Sequence, residues 1–364
     1  MKILTKITAA VFAIIIFGFS ALCIFLPQNE YSDSERRKLK KFPEFSVENV
    51  ISGKFMKDFE DYTPDKFPFR DGFRSIKAFV SLRLFNRSDN NGIYEYNGYI
   101  ADNEYPLNKD SLTRATDIFK KINEKFIAGK NADVYFSVIP DKNYFMADQG
   151  GQLALDYEEM LEILKSETDY MQYIDIIPLL TIEDYYKTDT HWRQEKIVDV
   201  AEYLASQMGT DVTAQYEEKQ LEKPFYGVYY GQYAMPAQGE TLVYLTNPVL
   251  DSCVVTNHEN GTQISIYDME KAAGKDPYEI FLSGPLSLVT VENSAVTSGK
   301  ELVVFRDSFT SSLAPLLAQG YSKITLVDIR YIYSDRVCTM VDFENADVLF
   351  LYSTSVLNNS DTLK

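Results

Sequence analysis

One set of residues in this chain could activate a serine for attack on an ester. The chain has only two histidines, and His191 lies in the run Asp189-Thr190-His191-Trp192. Ser308 follows the apolar run 302–305, within Arg306-Asp307-Ser308-Phe309. A serine hydroxyl becomes a good nucleophile when an imidazole accepts its proton, and a carboxylate can hold that imidazole in place. We therefore predict Ser308 as nucleophile, His191 as base and Asp189 as orienting acid.

Each segment also has a structural interpretation. Asp307 or Ser308 could cap the helix that we predict next, because these side chains accept hydrogen bonds from free N–H groups at a helix start. Thr188 or Asp189 could cap the following helix in the same way, which would leave His191 as a structural histidine. Either segment alone favours capping. The two together favour catalysis, because one supplies a nucleophile and the other supplies a base with its orienting acid. The second histidine, His258, lies in a polar turn and is predicted to be solvated.

Apolar β-rich runs alternate with amphipathic runs along most of the chain. We predict strands over 133–139, 173–180, 301–305, 323–328 and 347–352, and helices over 110–128, 156–167, 193–208 and 309–319. This alternation predicts an α/β fold in which helices cover both faces of a mostly parallel sheet. Open sheets of this kind bind ligands beyond the carboxyl ends of their strands, where Ser308 is expected.

The chain divides by composition into three parts. Residues 1–28 are a membrane anchor or signal, and residues 29–90 are a juxtamembrane stalk with a helix. Residues 91–364 are predicted to form the catalytic domain. Within that domain, a β-rich insertion at about 225–296 separates the predicted base from the predicted nucleophile.

The amino-terminal segment is long enough to cross a membrane. The uncharged run from Ile7 to Leu26 has 20 residues, which matches the length of one spanning helix. Lys2 and Lys6 precede it and favour a cytoplasmic amino terminus, with the rest of the chain outside. A cleaved signal peptide is the alternative, although its apolar region is usually shorter and no small-x-small cleavage site follows here.

Composition narrows the classes of partner. The net charge of −17 argues against nucleic acid or an anionic membrane surface as the main partner. No pattern typical of a metal site or of a phosphate-binding or dinucleotide-binding loop is present, so we expect no cofactor. Outside the apolar segment only Cys253 and Cys338 remain, and they could form a disulfide or stay as separate thiols.

Tyrosine is abundant, with 26 residues, and many lie in the stretch 225–244. Tyr226, Tyr229 and Tyr230 are the ones that we predict to bind substrate, because an aromatic ring with a polar tip suits the faces and hydroxyls of a sugar. Strand-rich segments are also rich in tyrosine for packing reasons, so a role in the core is an equal alternative.

Several motifs of the chain resemble those of a known family. The Asp-x-His-Trp run, the later Arg-Asp-Ser-Phe run and their spacing are similar to those of the DHHW proteins of Gram-positive bacteria, which are related to the SGNH-hydrolase-like alginate O-acetyltransferases. The resemblance covers most of residues 32–352. Further similar stretches are 34–39 with Pro43, 65–71, 139–142, 278–284 and 327–331.

The resemblance implies a three-layer α/β/α SGNH-like fold with a circularly permuted motif order, since Asp189 and His191 precede Ser308. It assigns these three residues as acid, base and nucleophile. Lys142 and Arg330 lie in the similar stretches, and we expect them to bind substrate.

The implied function is an extracytoplasmic acetyltransferase or esterase that acts on a cell-surface or secreted polysaccharide. A membrane protein that donates the acyl group is a possible partner. The alternative is an inactive polysaccharide-binding or assembly protein on the same fold. Arg306 favours that alternative, because it occupies the position of a glycine in SGNH enzymes.

Overall fold

The computed structural model describes residues 2–32 and 34–364 and divides the chain into two compact units. The first unit comprises Met1–Asn90 together with Tyr230–Pro236. The second comprises Asn91–Tyr229 and Ala237–Lys364, and it contains both the segment 189–192 and the segment 306–309.

The secondary structure of the described residues alternates between strands and helices over much of the second unit. The α-helices are α1 Lys2–Phe25, α2 Val47–Ile51, α3 Lys54–Lys66, α4 Arg70–Phe79, α5 Lys109–Ile122, α6 Asn143–Met146, α7 Tyr157–Glu167, α8 Val198–Gln207, α9 Val228–Tyr233, α10 Pro248–Asp251, α11 Thr310–Leu317, α12 Ser334–Val337 and α13 Thr354–Asn358. The strands are β1 Tyr31–Ser32, β2 Arg37–Lys38, β3 Ile93–Tyr96, β4 Tyr99–Asp102, β5 Val134–Ile139, β6 Gln172–Tyr173, β7 Glu217–Gln220, β8 Val243–Thr246, β9 Val254–Asn257, β10 Thr262–Ile264, β11 Leu288–Glu292, β12 Glu301–Arg306, β13 Lys323–Val327 and β14 Ala346–Ser353.

A central sheet of eight strands organises the second unit, in the order β10-β9-β11-β13-β12-β14-β5-β6. The strands from β13 to β6 pair in parallel, whereas β11, β9 and β10 add an antiparallel edge. Because β12, β14 and β5 are neighbours and parallel, the loops after their carboxyl ends lie side by side. One of those loops contains Ser308.

Both faces of the sheet are apolar, which requires a layer of helices on each face. Along β12, Leu302 and Val304 belong to one buried cluster, while Val303 and Phe305 belong to another. Residues of α8 and α11 pack in the first cluster, and residues of α5 and α7 pack in the second. The predicted three-layer α/β/α architecture is therefore confirmed.

Two predicted elements are shorter than expected. The predicted strand over 173–180 reduces to β6, and a 3₁₀ turn at Ile177–Leu179 follows it. Pro178 explains the difference, because its ring fixes φ and removes the N–H that a strand would need. The predicted helix over 193–208 begins only at Val198, after a 3₁₀ turn at Gln194–Lys196.

The segment 225–296 contains the four strands β8 to β11. Its strands β9, β10 and β11 extend the central sheet, while β8 pairs with β7. Cys253 and Cys338 are both free thiols.

In the first unit, α1 is one continuous apolar helix. Its span Ile3–Phe25 is long and apolar enough to cross a bilayer, and protein covers none of its most apolar stretch. These properties are compatible with a membrane anchor and with a signal sequence.

Candidate active site

Ser308 lies in the tight connection between β12 and α11. Asp307 fixes this connection, because its Oδ1 accepts a hydrogen bond from the N–H of Phe309 at 3.1 Å and its Oδ2 accepts one from the N–H of Ser353 at 2.8 Å. The Asp307 carboxylate therefore ties the end of β12 to the end of β14. The Ser308 hydroxyl is directed instead to His191, and the residue before α11, Phe309, caps this helix with no side-chain hydrogen bond.

His191 lies in a narrow loop whose ends, Tyr185 and Trp192, form an antiparallel bridge. Its Nε2 lies 2.8 Å from Ser308 Oγ, and its Nδ1 lies 2.6 Å from Asp189 Oδ1. A carboxylate at Nδ1 selects the tautomer whose Nε2 carries a lone pair. With that tautomer, Nε2 can accept the proton of Ser308.

The carboxylate of Asp189 is fixed by three further features. Its Oδ1 accepts a hydrogen bond from the N–H of His191 at 3.1 Å, and its Oδ2 accepts one from the N–H of Val228 at 2.9 Å. The third feature is Gly227, which packs directly on Asp189. A Cβ at residue 227 would lie 2.2 Å from the Asp189 Cβ and 2.4 Å from its backbone N, so only glycine fits there.

Aromatic rings hold the imidazole plane. Tyr278 stacks on His191 with ring centroids 4.0 Å apart and planes 8° apart. Phe309 contacts the ring at a centroid distance of 5.0 Å. Burial raises the pKa of Tyr278 well above its ordinary value, so its hydroxyl stays protonated and neutral beside the imidazole. The hydroxyl oxygen lies 2.8 Å from Ser312 Oγ.

Residues after His191 attach its loop to the helix that follows Ser308. The indole N–H of Trp192 donates to the carbonyl of Phe309 and to Ser312 Oγ, both at 3.0 Å. The side-chain Nε2 of Gln194 donates to the carbonyl of Ser312 at 2.8 Å. These bonds fix the position of the His191 loop relative to the helix after Ser308, although His191 and Ser308 are 117 residues apart in sequence.

Lys142 is buried below this loop, so a substrate cannot reach it. This placement contradicts the expectation from the resemblance that Lys142 binds substrate. Its ammonium donates to the carbonyls of Ile100, Tyr186 and Lys187, the last two at 3.1 Å. It also lies 5.0 Å from the ring centroid of Tyr229. Burial lowers the pKa of Lys142 to about 7, and the nearby carboxylate of Asp189 opposes that shift. The contacts indicate a positioning residue.

Glu240 is a second anchor of the loop, and the sequence carried no motif that marked it. Its carboxylate accepts hydrogen bonds from the N–H groups of Lys187 at 2.7 Å and Thr188 at 2.8 Å, and from the Thr188 hydroxyl at 2.7 Å. Only the folded chain brings residue 240 to this loop. Likewise, no sequence pattern identified Tyr278 as a partner of His191 or Gly227 as a partner of Asp189.

Two arginines lie near the segment that contains Ser308. Arg306 is buried and donates to Ser311 Oγ at 2.7 Å and to the carbonyl of Asp307 at 3.3 Å. It therefore braces the start of α11. Arg330 forms a forked ion pair with Asp328, at 2.9 and 2.7 Å, and this pair raises the pKa of Arg330 against the opposing effect of burial.

The three predicted sugar-binding tyrosines are placed differently. Tyr229 contacts the loop of His191, because its hydroxyl donates to Thr190 Oγ1 at 3.2 Å. Tyr226 is 40% exposed, as a surface contact for substrate would require. Tyr230 belongs to the first unit.

The fold has solved relatives. No protein-family model matches the chain, and no curated protein matches it by sequence. A DHHW family protein from Eubacterium siraeum superposes with a TM-score of 0.61 at 18% identity, covering 75% of this chain and 95% of that protein. Bacillus cereus PatB1 with a sulfonyl adduct superposes with a TM-score of 0.60 at 20% identity, covering 73% of this chain and 95% of PatB1.

These similarities confirm the predicted resemblance at the level of fold. Over 73 to 75% of its length the chain shares its α/β arrangement with the DHHW family protein and with PatB1. At 18 to 20% identity they establish architecture, and the chemistry must be argued from this chain's own side chains.

Proposed function

We propose that the protein is a serine-dependent acyltransferase or esterase that uses Ser308, His191 and Asp189. The observation that carries the proposal is the continuous chain of hydrogen bonds from Ser308 Oγ through the His191 ring to Asp189, at 2.8 and 2.6 Å. Both distances lie within the reach that proton transfer and orientation require.

In the first half-reaction, Ser308 Oγ attacks the carbonyl carbon of an acyl donor while His191 Nε2 accepts the serine proton. The resulting tetrahedral intermediate collapses when the bond to the leaving oxygen breaks. His191 returns its proton to that oxygen, so the donor alcohol departs and an acyl ester of Ser308 remains. Asp189 keeps its negative charge throughout and stabilises the imidazolium.

In the second half-reaction, His191 removes a proton from an acceptor hydroxyl, whose oxygen attacks the acyl carbon of Ser308. Collapse of this second intermediate releases the new ester, and the proton returns from His191 to Ser308 Oγ. A sugar hydroxyl as acceptor makes the protein a transferase. Water as acceptor makes it an esterase.

The backbone at Ser308 supports this chemistry. In the described part of the chain, the Ser308 N–H donates to no acceptor at the start of α11. A free N–H beside a nucleophile can stabilise the oxyanion of a tetrahedral intermediate. We assign it that role.

We further propose acetyl as the acyl group and a polysaccharide outside the cytoplasm as the substrate. Solved proteins that share the fold include PatB1 with its sulfonyl adduct, and the family resemblance points to polysaccharide acetylation. Tyr226 and Tyr229 are the tyrosines that we assign to sugar contact. The helix α1 would serve as an uncleaved membrane anchor, and a membrane protein could present the acyl donor.

The decisive experiment uses the purified full chain and needs no knowledge of the natural polymer. A sulfonyl fluoride should add to Ser308, and intact mass with peptide mapping should locate the adduct on that residue. The same protein should release acetate from an aryl acetate. Ser308→Ala should abolish both reactions.

Ser298→Ala is the matched control, because Ser298 precedes the amino end of β12 whereas Ser308 follows its carboxyl end. It should react and turn over like the wild type. Equal turnover by wild type and Ser308→Ala across several acyl donors would overturn the proposal and favour a binding or assembly protein. Acetyl transfer to an added oligosaccharide would identify a transferase, and acetate release alone would identify an esterase.

A further inference from the structure

The first unit exposes a long apolar face on α4 and the turn that follows it. Phe69 is 71% exposed, Ile76 59%, Phe79 49% and Leu84 67%. The spacing of these residues places them on one side of the helix. Single exposed apolar residues are ordinary on a protein surface, but a contiguous apolar patch of this kind marks a binding surface.

The opposite side of α4 attaches to the first unit. Ala78 is fully buried. Arg74 donates to the carbonyl of Gly231 at 2.8 Å and forms an ion pair with Glu35 at 3.2 Å. These contacts fix the rotation of the helix about its axis, so the apolar side must face away from the unit.

Aromatic contacts join α4 and the residues just before it to α1. Phe19 stacks on Phe67 with ring centroids 5.4 Å apart and meets Phe73 edge-on at 5.7 Å. Lys66 Nζ donates to the carbonyl of Leu26 at 2.6 Å, just after α1 ends. Phe19 lies six residues before the end of α1, which corresponds to about 9 Å along the helix axis.

The charge of the same segment is opposite to that of the whole protein. Residues 66–87 contain six basic residues and one acidic residue, in a chain whose net charge is −17. Lys77, Arg83 and Arg87 are exposed beside the apolar face. An apolar helix face flanked by basic residues is typical of helices that lie in a membrane interface, and the basic side chains suit anionic headgroups.

We propose that α4 and the turn after it lie flat in the lipid interface beside α1, with Phe69, Ile76 and Phe79 inserted among the acyl chains. The depth of about 9 Å at the Phe19 contacts matches the burial of about 5–10 Å that such helices show. This proposal rests on the proposed role of α1 as an uncleaved anchor, and it adds a second membrane contact that holds the first unit against the bilayer.

Tryptophan fluorescence in the full-length protein can test this contact. The only native tryptophan, Trp192, is fully buried in the second unit, so the wild type supplies the background signal. We would reconstitute Phe79→Trp and Ile76→Trp separately into vesicles of phosphatidylcholine and phosphatidylglycerol whose acyl chains carry bromine. Phe12→Trp in the middle of α1 reports the anchor, and Tyr333→Trp is an exposed control in the second unit.

We expect bromine near the headgroups to quench the Phe79→Trp and Ile76→Trp signals by about twofold, because the apolar face lies at shallow depth. Bromine deep in the chains should quench Phe12→Trp, and Tyr333→Trp should be unaffected. Quenching of Phe12→Trp without quenching at residues 76 and 79 would overturn this proposal and leave the anchor intact. Absence of quenching at all three positions would overturn the anchor as well.

Discussion

The two histidines of this chain occupy opposite kinds of environment. His191 is 8% exposed, and both of its ring nitrogens have partners at 2.6 and 2.8 Å. His258 lies exposed in the turn between β9 and β10, with its Nε2 3.0 Å from Thr290 Oγ1. Tyr278 stacks on the first ring. The same side chain is thus held at both ring nitrogens in one loop and lies at the surface in another.

The difference shows which contacts would prepare a histidine for the role of base that we propose for His191. An imidazole accepts a proton from a serine efficiently only when its tautomer, plane and distance are set in advance. At His191 these are set by Asp189, Tyr278 and the bonds of Trp192. The loop of His258 supplies none of these three contacts.

The largest expected effect is the loss of the base. His191→Ala should lower kcat/KM for an aryl acetate at least about 10³-fold, because no group then accepts the serine proton. His258→Ala should change kcat/KM less than about twofold, because the His258 ring contacts Thr290, which is not one of the proposed site residues. Adding Ser308→Ala to His191→Ala should cost little more, because members of one catalytic unit fail together. Equal losses for the two histidine variants would contradict the assignment.

The next effect concerns the space beside Asp189. Gly227→Ala places a Cβ 2.2 Å from the Asp189 Cβ, so the carboxylate must shift away from His191. A displacement of about 1 Å can cost about 100-fold in rate, and we expect a loss of that order. Stopped-flow or steady-state assays of acetate release would measure it.

Gly72→Ala is the matched substitution, because no atom lies within 4 Å of a Cβ built there. It should keep full activity and stabilise α4 by up to about 1 kcal/mol. Full activity of Gly227→Ala would mean that Asp189 tolerates displacement and is not the orienting acid.

A smaller effect is expected at Lys142. Lys142→Met should leave the carbonyls of Ile100 and Tyr186 without this donor, which costs about 2 kcal/mol of folding free energy. The Lys187 carbonyl keeps the hydrogen bond from the N–H of Ile100 at 2.7 Å. Activity should fall about tenfold, because the segment that contains Asp189 loses an anchor. The exposed Lys120 offers the control substitution Lys120→Met, which should change neither quantity.

The pH dependence of stability distinguishes this role from a simple packing defect. Burial lowers the pKa of Lys142 to about 7 from the ordinary 10.5, so between these pH values the unfolded chain binds more protons than the folded chain. The wild type should therefore gain stability across that window as pH rises. Lys142→Met lacks this gain. Thermal unfolding from pH 6 to pH 10 should show a growing difference, and a constant difference would argue against a lowered pKa.

The smallest effect is expected at Tyr278. Tyr278→Phe keeps the stacking on His191 and loses only the contact with Ser312, so activity should stay within about threefold and stability should fall by about 1 kcal/mol. Tyr278→Leu removes the stacked ring and should lower activity about tenfold. If both variants lose activity equally, the hydroxyl and not the ring is what His191 requires.

Much of the architecture could be predicted from the sequence, because burial leaves a local pattern. The β-branched and apolar runs became β5, β12, β13 and β14, since residues in a buried parallel strand must be apolar on both faces. An Asn-Gly pair favours a two-residue hairpin turn, and Asn97 and Gly98 between β3 and β4 both adopt the positive φ that such a turn requires. The apolar amino-terminal run is one helix for the same local reason.

The sequence also determined which residues could form the site, because only two histidines and one Asp-x-His pair were available. It could not determine which other residues hold these side chains in position. Glu240, Tyr278, Gly227 and the role of Lys142 depend on contacts between segments far apart in the chain, and composition carries no record of strand order or register. Whether Lys142 meets solvent or three carbonyls was decided by how the hairpin of Ile100 and the loop of Tyr186 pack over the end of β5. That packing is a property of the tertiary structure, because it follows from the simultaneous burial of several elements and from no single segment.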